Sequence, residues 1–116
     1  MSECKEEVCP CDKYCPLQNA LKIIGGKWKI PILCVIANND GARYSLLIKK
    51  VNGITDTMLS STLKELEKCD MVTRVQYNQI PVKVEYFLTD KSRALVPILG
   101  QIAMWESNFR SPETNL

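Results

Sequence analysis

Four cysteines lie close together at the start of the chain. Cys4, Cys9, Cys11 and Cys15 form the pattern C-x4-C-x-C-x3-C. Thiols grouped in this way bind zinc or an iron–sulfur cluster, respond to oxidants and electrophiles, or are ordinary reduced cysteines. Gaps of one and three residues do not follow a standard zinc-finger spacing, so tetrahedral zinc at these four thiols is the least favoured of the three interpretations, and we predict no resident metal or cofactor.

The chain contains no histidine. This excludes Ser-His-Asp and Cys-His nucleophile pairs, histidine metal sites and histidine pH switches. The sequence also lacks the glycine-rich motifs GxGxxG and GxxxxGK[ST] that hold nucleotide phosphates. Because no catalytic group can be named, we predict that the chain is not an enzyme.

A second set of reactive side chains lies on one predicted helix, from the N-cap Thr55 to about Cys69. At 100° per residue, Leu59, Leu63 and Leu66 fall on one side of this helix and form a core face. The opposite side carries small hydroxyl and basic residues, namely Thr57, Ser60, Ser61, Lys64 and Lys68. Such a face suits hydrogen bonds to base edges and contacts to phosphates. The alternative is that it is simply the solvent face of an amphipathic helix.

Other elements must position this helix. Residues 17–24 have helical spacing and end at Gly25-Gly26. Residues 27–38 are apolar almost all round, which predicts a helix buried on most sides, with Cys34 as a core residue and Pro31 in its first turn. Residues 42–44 are expected to form a short strand. Residues 45–51 are expected to form a short helix with Ser45 as its N-cap.

Two segments after this helix, 71–77 and 82–88, alternate with a period of two residues and are joined by a loop at 78–81, which predicts a β-hairpin. Thr89 is expected to cap a last helix over about 90–110, with a heptad-like apolar seam that Pro97 should kink or divide. The seam consists of Leu95, Ile98, Ile102, Trp105 and Phe109.

A short helix, a tight turn, a helix with one polar face and then a hairpin make a winged helix-turn-helix, whose second helix enters the DNA major groove. The predicted fold is therefore mainly α with a small β-hairpin wing. We divide the chain into a Cys-rich arm (1–15), a winged helix-turn-helix DNA-binding domain (16–110), to which the family resemblance described below adds dimerisation, and a frayed tail (111–116). The distribution of charge agrees with a DNA-binding central domain, because residues 16–93 carry twelve basic and seven acidic side chains while both ends are net acidic. No signal peptide or membrane-length apolar run is visible, which predicts a cytoplasmic protein.

An ordered set of residues resembles the HxlR-type winged helix-turn-helix transcription regulators, which are similar to the MarR group. The set runs through Cys15-Pro16, Gly25-Gly26-Lys27-Trp28-Lys29, Arg43-Tyr44, Gly53-Ile54-Thr55, Leu63-Lys64-Glu65-Leu66-Glu67, Arg74, Pro81-Val82-Lys83-Val84-Glu85-Tyr86-Phe87-Leu88-Thr89 and Trp105. The resemblance covers about residues 15–109. Asp70 and Ser92 depart from it, because each stands where the family often has glycine.

The resemblance implies a bacterial or archaeal homodimer on a pseudo-palindromic operator in double-stranded DNA, with a recognition helix at about 55–68. The implied DNA-binding residues are Arg43, Thr55, Thr57, Ser60, Ser61, Lys64 and, in the wing, Gln79 and Lys83. The terminal helices of the family imply a dimer interface formed by Leu17, Leu21, Leu95, Ile98, Ile102, Trp105 and Phe109. Arg74 and Glu85 are expected to pair across the hairpin and so to be structural.

Cys15 is similar to a family cysteine that senses oxidants or electrophiles, which implies a regulatory thiol at Cys15 with Cys11 and Cys9 as neighbours. Two alternatives remain open. One is a regulator without redox sensing that binds a small apolar effector near Trp28, Trp105 and Phe109. The other is a winged-helix module that binds a protein partner and not DNA.

Overall fold

The computed structural model describes residues 15–110 of the 116. The tail 111–116 and the other three cysteines of the N-terminal arm lie outside the described residues. Within the described range, five helices and one two-stranded sheet follow one another along the chain. In order they are α1 (Pro16–Ile24), α2 (Lys29–Asn38), α3 (Tyr44–Lys50), α4 (Asp56–Lys68), β1 (Val72–Tyr77), β2 (Lys83–Leu88) and α5 (Asp90–Phe109).

The core lies between α2, α3, α4 and the hairpin, because these elements pack against one another. Its most deeply buried apolar side chains are Ile32, Leu33, Ile36, Leu47, Leu59, Leu63, Leu66 and Met71. Leu59, Leu63 and Leu66 belong to α4, so the predicted apolar side of this helix faces the core. The polar side is therefore left at the surface.

The caps that the sequence predicts for α4 and α5 are confirmed. The Thr55 hydroxyl accepts a hydrogen bond from the Met58 N–H at 3.2 Å. Thr89 and Ser92 form a reciprocal capping box at the start of α5. Both helices therefore begin where the side-chain oxygens satisfy their free N–H groups.

The predicted hairpin is also confirmed. β1 and β2 pair antiparallel in a register that runs from Val72–Leu88 to Tyr77–Lys83. Because the hairpin directly follows α4, the described chain is a winged helix-turn-helix, as the sequence predicts.

Two predictions around α3 are wrong. The helix begins at Tyr44 and its N-cap is Arg43, whose side chain makes no capping hydrogen bond, so Ser45 is not the N-cap. The predicted strand at 42–44 reduces to a single bridge in which Ala42 pairs with the edge of β2 at Tyr86. Pairing of Ala42 with the strand edge holds the backbone before α3 extended, and the helix begins two residues earlier than an N-cap at Ser45 would place it.

The prediction for Cys34 is wrong as well, since its side chain is exposed. Ile32 and Ile36 form the buried side of α2, and Cys34 points away from both at helical spacing. The uniformly apolar sequence of α2 gives no sign of which side faces solvent. Pro97 does not divide the last helix, because α5 is continuous from Asp90 to Phe109.

Candidate nucleic-acid interface

The polar side of α4 forms one wall of an open groove of about 750 Å³. The groove contains the four side chains that the sequence predicts for base contacts, Thr57, Ser60, Ser61 and Lys64. Tyr44, Asp56, Glu65 and Lys68 line it as well. The structure therefore brings the predicted hydroxyl and ammonium groups together on one accessible surface. Thr55 lies at the edge of this surface, where its hydroxyl oxygen is already engaged as the helix cap.

Tyr44 fixes the beginning of α4 against α3. Its hydroxyl donates a hydrogen bond to the backbone carbonyl of Asp56 at 2.8 Å. Partial desolvation of the hydroxyl, a hydrogen bond with the Asp56 side chain and the negative charge of that carboxylate raise the pKa of Tyr44 to about 12. The phenol thus stays protonated and keeps donating near neutral pH, which holds the first turn of α4 in place.

Two acidic residues in this groove escaped the sequence analysis. Asp56 and Glu65 lie beside the hydroxyl and ammonium groups, where a carboxylate would repel phosphate but can accept a hydrogen bond from a base amino group. Glu65 is an ion-pair partner of Lys29 at 3.4 Å. The helical spacing of Asp56, Ser60 and Lys64, at i, i+4 and i+8, was the available signal.

Arg74 is not paired with Glu85, so that prediction is wrong. The strand register places Arg74 opposite Tyr86, and its guanidinium donates to the Gln76 side chain at 3.2 Å. Arg74 instead lines a second groove of about 410 Å³ with Ser60 and Lys64 of α4. Because cross-strand partners depend on register, the sequence alone could not show that Arg74 faces the recognition surface.

The wing carries the two other predicted contacts in different surroundings. Gln79 is exposed in the loop between the strands. Lys83 lies 3.4 Å from the carboxylate of Glu85 and 5.2 Å from the ring centre of Tyr77. The Tyr77 hydroxyl donates to Glu85 at 3.0 Å, and this bond raises the pKa of Tyr77. Lys83 is therefore partly neutralised, whereas Gln79 is not engaged in this cluster.

Arg43 is exposed immediately before α3. Among the residues that the structure describes, no carboxylate lies within ion-pair distance of Arg43. Its guanidinium borders a shallow groove with Ser45 and Lys49. The second positive charge in that groove makes it suitable for a phosphate.

Only one of the thiols that the sequence predicts to be regulatory lies among the described residues. Cys15 is described, and it is 4% exposed at the N-cap of α1. Cys4, Cys9 and Cys11 lie outside the described residues. Between residues 15 and 110, no group of three or more potential metal-ligating side chains comes together.

Exposed apolar residues lie on α1 and on α5. α1 contains no buried residue, and Leu17 and Leu21 are exposed on it. On α5, Leu95 is half-buried, whereas four other residues of the predicted seam are at least half exposed: Ile98, Ile102, Trp105 and Phe109. Single exposed apolar residues are ordinary, but a continuous seam of this kind on a helix indicates a contact surface.

The three aromatic residues that were expected to lie near a small apolar effector have different surroundings. Trp28 packs against the core, whereas Trp105 is 65% exposed and contacts Phe109 with ring centres 6.5 Å apart. An open groove of about 510 Å³ lies elsewhere, between α2 and α5. Ala37, Leu88 and Val96 contribute apolar lining to it, and Asp40 and Arg93 lie at its rim.

None of the helices in residues 15–110 is long and apolar enough to cross a membrane.

Comparison with known proteins places these features in context. Residues 23–114 match the model of the HxlR-like helix-turn-helix family. An uncharacterised helix-turn-helix transcriptional regulator of Halalkalibacterium halodurans is 44% identical over 90 residues, which cover 78% of this chain and 80% of the relative.

Two solved structures show the same fold. A transcriptional regulator assigned to the MarR family, from Porphyromonas gingivalis, superposes with a TM-score of 0.77 at 32% identity, covering 85% of this chain and 96% of that one. The redox regulator HypR in its oxidised form superposes with a TM-score of 0.74 at 37% identity, covering 84% of this chain and 99% of that one.

Proposed function

This chain belongs to the HxlR-like helix-turn-helix family of transcriptional regulators, and we propose that it acts as a homodimer that recognises a pseudo-palindromic operator. Members of this family are regulators of transcription and not enzymes. The proposal concerns how this particular chain reads DNA, how it dimerises and what switches it.

The observation that carries the DNA-binding proposal is the polar side of α4. Thr57, Ser60 and Ser61 present short hydroxyl groups that allow close approach to base edges in the major groove. Lys64 reaches a phosphate or a guanine from the same surface, and Arg74 flanks it from the hairpin. We assign Arg43, Thr55, Gln79 and Lys83 to backbone contacts around this centre, because phosphate contacts orient a protein on the duplex.

The dimer proposal rests on the apolar seam of α5 and the exposed leucines of α1. A twofold interface would bury the same patch on both protomers. It would also place two copies of α4 in successive major grooves, about 34 Å apart. Both requirements fit a chain whose terminal helices leave their apolar residues exposed while its central helices form the core.

Selection of duplexes from a random pool by the purified, reduced protein tests the proposal. Fluorescence anisotropy then measures the affinity for the selected DNA at two salt concentrations. We expect inverted half-sites one helical turn apart and an affinity that falls steeply with salt, since each phosphate contact contributes a slope of about −0.9. Recovery of no preferred sequence would contradict the proposal and would favour the protein-interaction module.

We further propose that oxidation at Cys15 switches DNA binding. A peroxide would convert the Cys15 thiolate to a sulfenic acid and release hydroxide, and the thiol of Cys11 or Cys9 would then form a disulfide and release water. Cys15 lies at the N-cap of α1, where the free N–H groups of the first turn interact favourably with negative charge. Because Cys15 is 4% exposed, an oxidant reaches it through local opening. The likeness to HypR supports this proposal, since that protein is a redox regulator.

A small apolar effector is the second candidate signal, and the groove between α2 and α5 favours it. A ligand there would contact both the core and the helix that carries the apolar seam. A saturable change in tryptophan fluorescence with a metabolite, in protein without reactive thiols, would support this signal. We propose no resident cofactor, and elemental analysis of protein purified under reducing conditions tests the alternative of zinc at the N-terminal thiols.

A further inference from the structure

The start of α5 is joined to the end of α4 by three side-chain hydrogen bonds. Three residues in the first turn of α5 donate to three consecutive backbone carbonyls that follow α4. The bonds run from Lys91 Nζ to the Cys69 carbonyl at 2.8 Å, from Thr89 Oγ1 to the Asp70 carbonyl at 2.7 Å, and from Ser92 Oγ to the Met71 carbonyl at 2.7 Å. We call these six residues the α4–α5 joint.

The acceptors of the joint are held in place by α4 itself. The last carbonyls of a helix have no partner within the helix and need one elsewhere. Asp70 adopts a left-handed conformation, with φ of 61°, and the Met71 N–H donates back to the Leu66 carbonyl at 2.8 Å. The carbonyls of the turn therefore have fixed directions relative to the axis of α4.

Ser92 is the centre of the joint. It is 1% exposed, and its hydroxyl accepts a hydrogen bond from the Thr89 N–H at 2.9 Å while it donates to Met71. The bond to the Met71 carbonyl is the shortest contact that this hydroxyl donates, since the carbonyl of Thr89 lies farther away, at 3.2 Å. A buried hydroxyl that accepts from one segment and donates to another holds the two segments in a defined relative position. Ser92 and Asp70 are also the two positions at which the sequence departs from the glycines often found in the family.

The joint connects the two surfaces on which the proposed function depends. α5 packs against α2 and β2 rather than along α4, which makes the joint the direct link between the two helices. The exposed seam runs along α5 from Ile98 to Phe109, and a helix of 20 residues extends about 30 Å. A small rotation at the joint would therefore move α4 appreciably relative to the dimer surface.

We propose that Ser92 is a positioning residue that fixes the direction of α4 relative to α5 and so sets the spacing between the two recognition helices. This inference rests on the proposed homodimer and its operator. If the joint only caps the two helices, breaking its hydrogen bonds would lower the stability of the fold and leave the preference for half-site spacing unchanged. A joint that positions α4 also determines how strictly the protein requires one separation of the DNA half-sites.

The test compares affinities for the selected operator and for operators with one base pair inserted or removed between the half-sites. In the natural chain the preferred spacing binds best. Ser92→Ala removes the central hydroxyl, and Lys91→Met removes the outer bond at an exposed residue, where we expect the fold to be kept. We expect each variant to reduce the affinity ratio between preferred and altered spacing by about fivefold, the factor equivalent to one net hydrogen bond.

Ile32→Val is the matched control, because it trims a buried side chain of the core outside the joint. We expect it to lower stability and leave the spacing ratio unchanged. Equal spacing ratios in the natural chain, Ser92→Ala and Lys91→Met would overturn the inference and leave the proposed function intact. Failure of the natural chain to select any duplex would overturn the proposed function, and this inference with it.

Discussion

At the scale of single residues, two lysines of the predicted DNA-binding set differ in their availability. Lys64 is exposed, and no carboxylate among residues 15–110 lies within ion-pair distance of it. Lys83 is held by Glu85 and by the ring of Tyr77. Binding a phosphate with Lys83 would weaken its contacts with Glu85 and Tyr77. Binding with Lys64 would replace only its contacts with water. Lys64 should therefore contribute more to the affinity for DNA.

Replacement of Lys64 by alanine tests this difference. We expect Lys64→Ala to weaken operator binding by about 1–3 kcal/mol if the ammonium contacts a guanine, with a relaxed preference at that base. If it contacts a phosphate, binding to all sequences should weaken and the salt slope should fall by about one unit. Anisotropy at several salt concentrations separates the two cases. Lys22→Ala, on the exposed side of α1, serves as the control. Equal affinities of the two variants for the operator would contradict the proposal that the polar side of α4 contacts DNA.

Cys15 is the residue on which the proposed switch depends. We expect the natural protein to lose operator affinity after treatment with peroxide and to regain it after reduction. Cys15→Ser should bind the operator in both conditions, because the first oxidation step needs the Cys15 thiolate. Cys34→Ser is the matched control, since Cys34 is an exposed thiol on α2. Loss of DNA binding by oxidised Cys15→Ser would eliminate this residue as the sensor.

At the scale of elements, the sequence identifies α4, both strands and α5 closely because their signals are local. Capping threonines and period-two alternation lie within the elements themselves. The errors concern Ser45, Cys34 and the expected partner of Arg74, which depend on contacts from elsewhere in the chain. Strand pairing at Ala42 determines where α3 begins, packing selects the buried side of α2, and register decides what Arg74 faces.

The candidate site follows the same rule. The spacing of Thr57, Ser60, Ser61 and Lys64 is a property of one helix and could be predicted. The joint between α4 and α5 could not, because its acceptors are backbone carbonyls, which the sequence does not distinguish. Its donors lie about twenty residues further along the chain. Only the fold brings the two ends together.

Trp105 tests the proposal that α5 is a dimer helix. The side chain is 65% exposed in the protomer, so its loss should have little effect on the protomer core. We expect Trp105→Asp to shift the protein from dimer to monomer and to weaken operator binding, because a charge in an apolar interface is strongly unfavourable. Sedimentation velocity gives the oligomeric state, and far-ultraviolet circular dichroism checks that the helices remain. A variant that is still dimeric would place the interface elsewhere.

At the scale of the whole molecule, the charge and the apolar surface are separated along the chain. The basic excess lies in residues 16–93, which contain the recognition helix and the hairpin, whereas residues 94–116 carry one basic and two acidic side chains. The second half of α5 therefore presents an apolar surface with little charge. This division allows one chain to attract DNA with its centre while associating with a second copy through its end.

The free energy of unfolding should depend on the contact that Tyr44 of α3 makes with Asp56 of α4. The pKa of Tyr44 is raised to about 12, so the folded chain retains the phenolic proton above pH 10 while the unfolded chain releases it. The stabilisation by Tyr44 is fully present below pH 10 and is lost as the pH rises from about 10 to about 12. Tyr44→Phe removes both the bond to Asp56 and this pH dependence.

Urea unfolding of the natural chain and of Tyr44→Phe at a series of pH values measures the effect. At pH 8 we expect the natural chain to be more stable by about 1 kcal/mol, the net contribution of one hydrogen bond. The difference should shrink as the pH rises above 10. Lysines and the other tyrosines titrate in both proteins, so their contributions cancel in the difference. A difference that stays constant up to pH 12 would show that Tyr44 does not ionise on unfolding in this range, and the contact between α3 and α4 would then need another explanation.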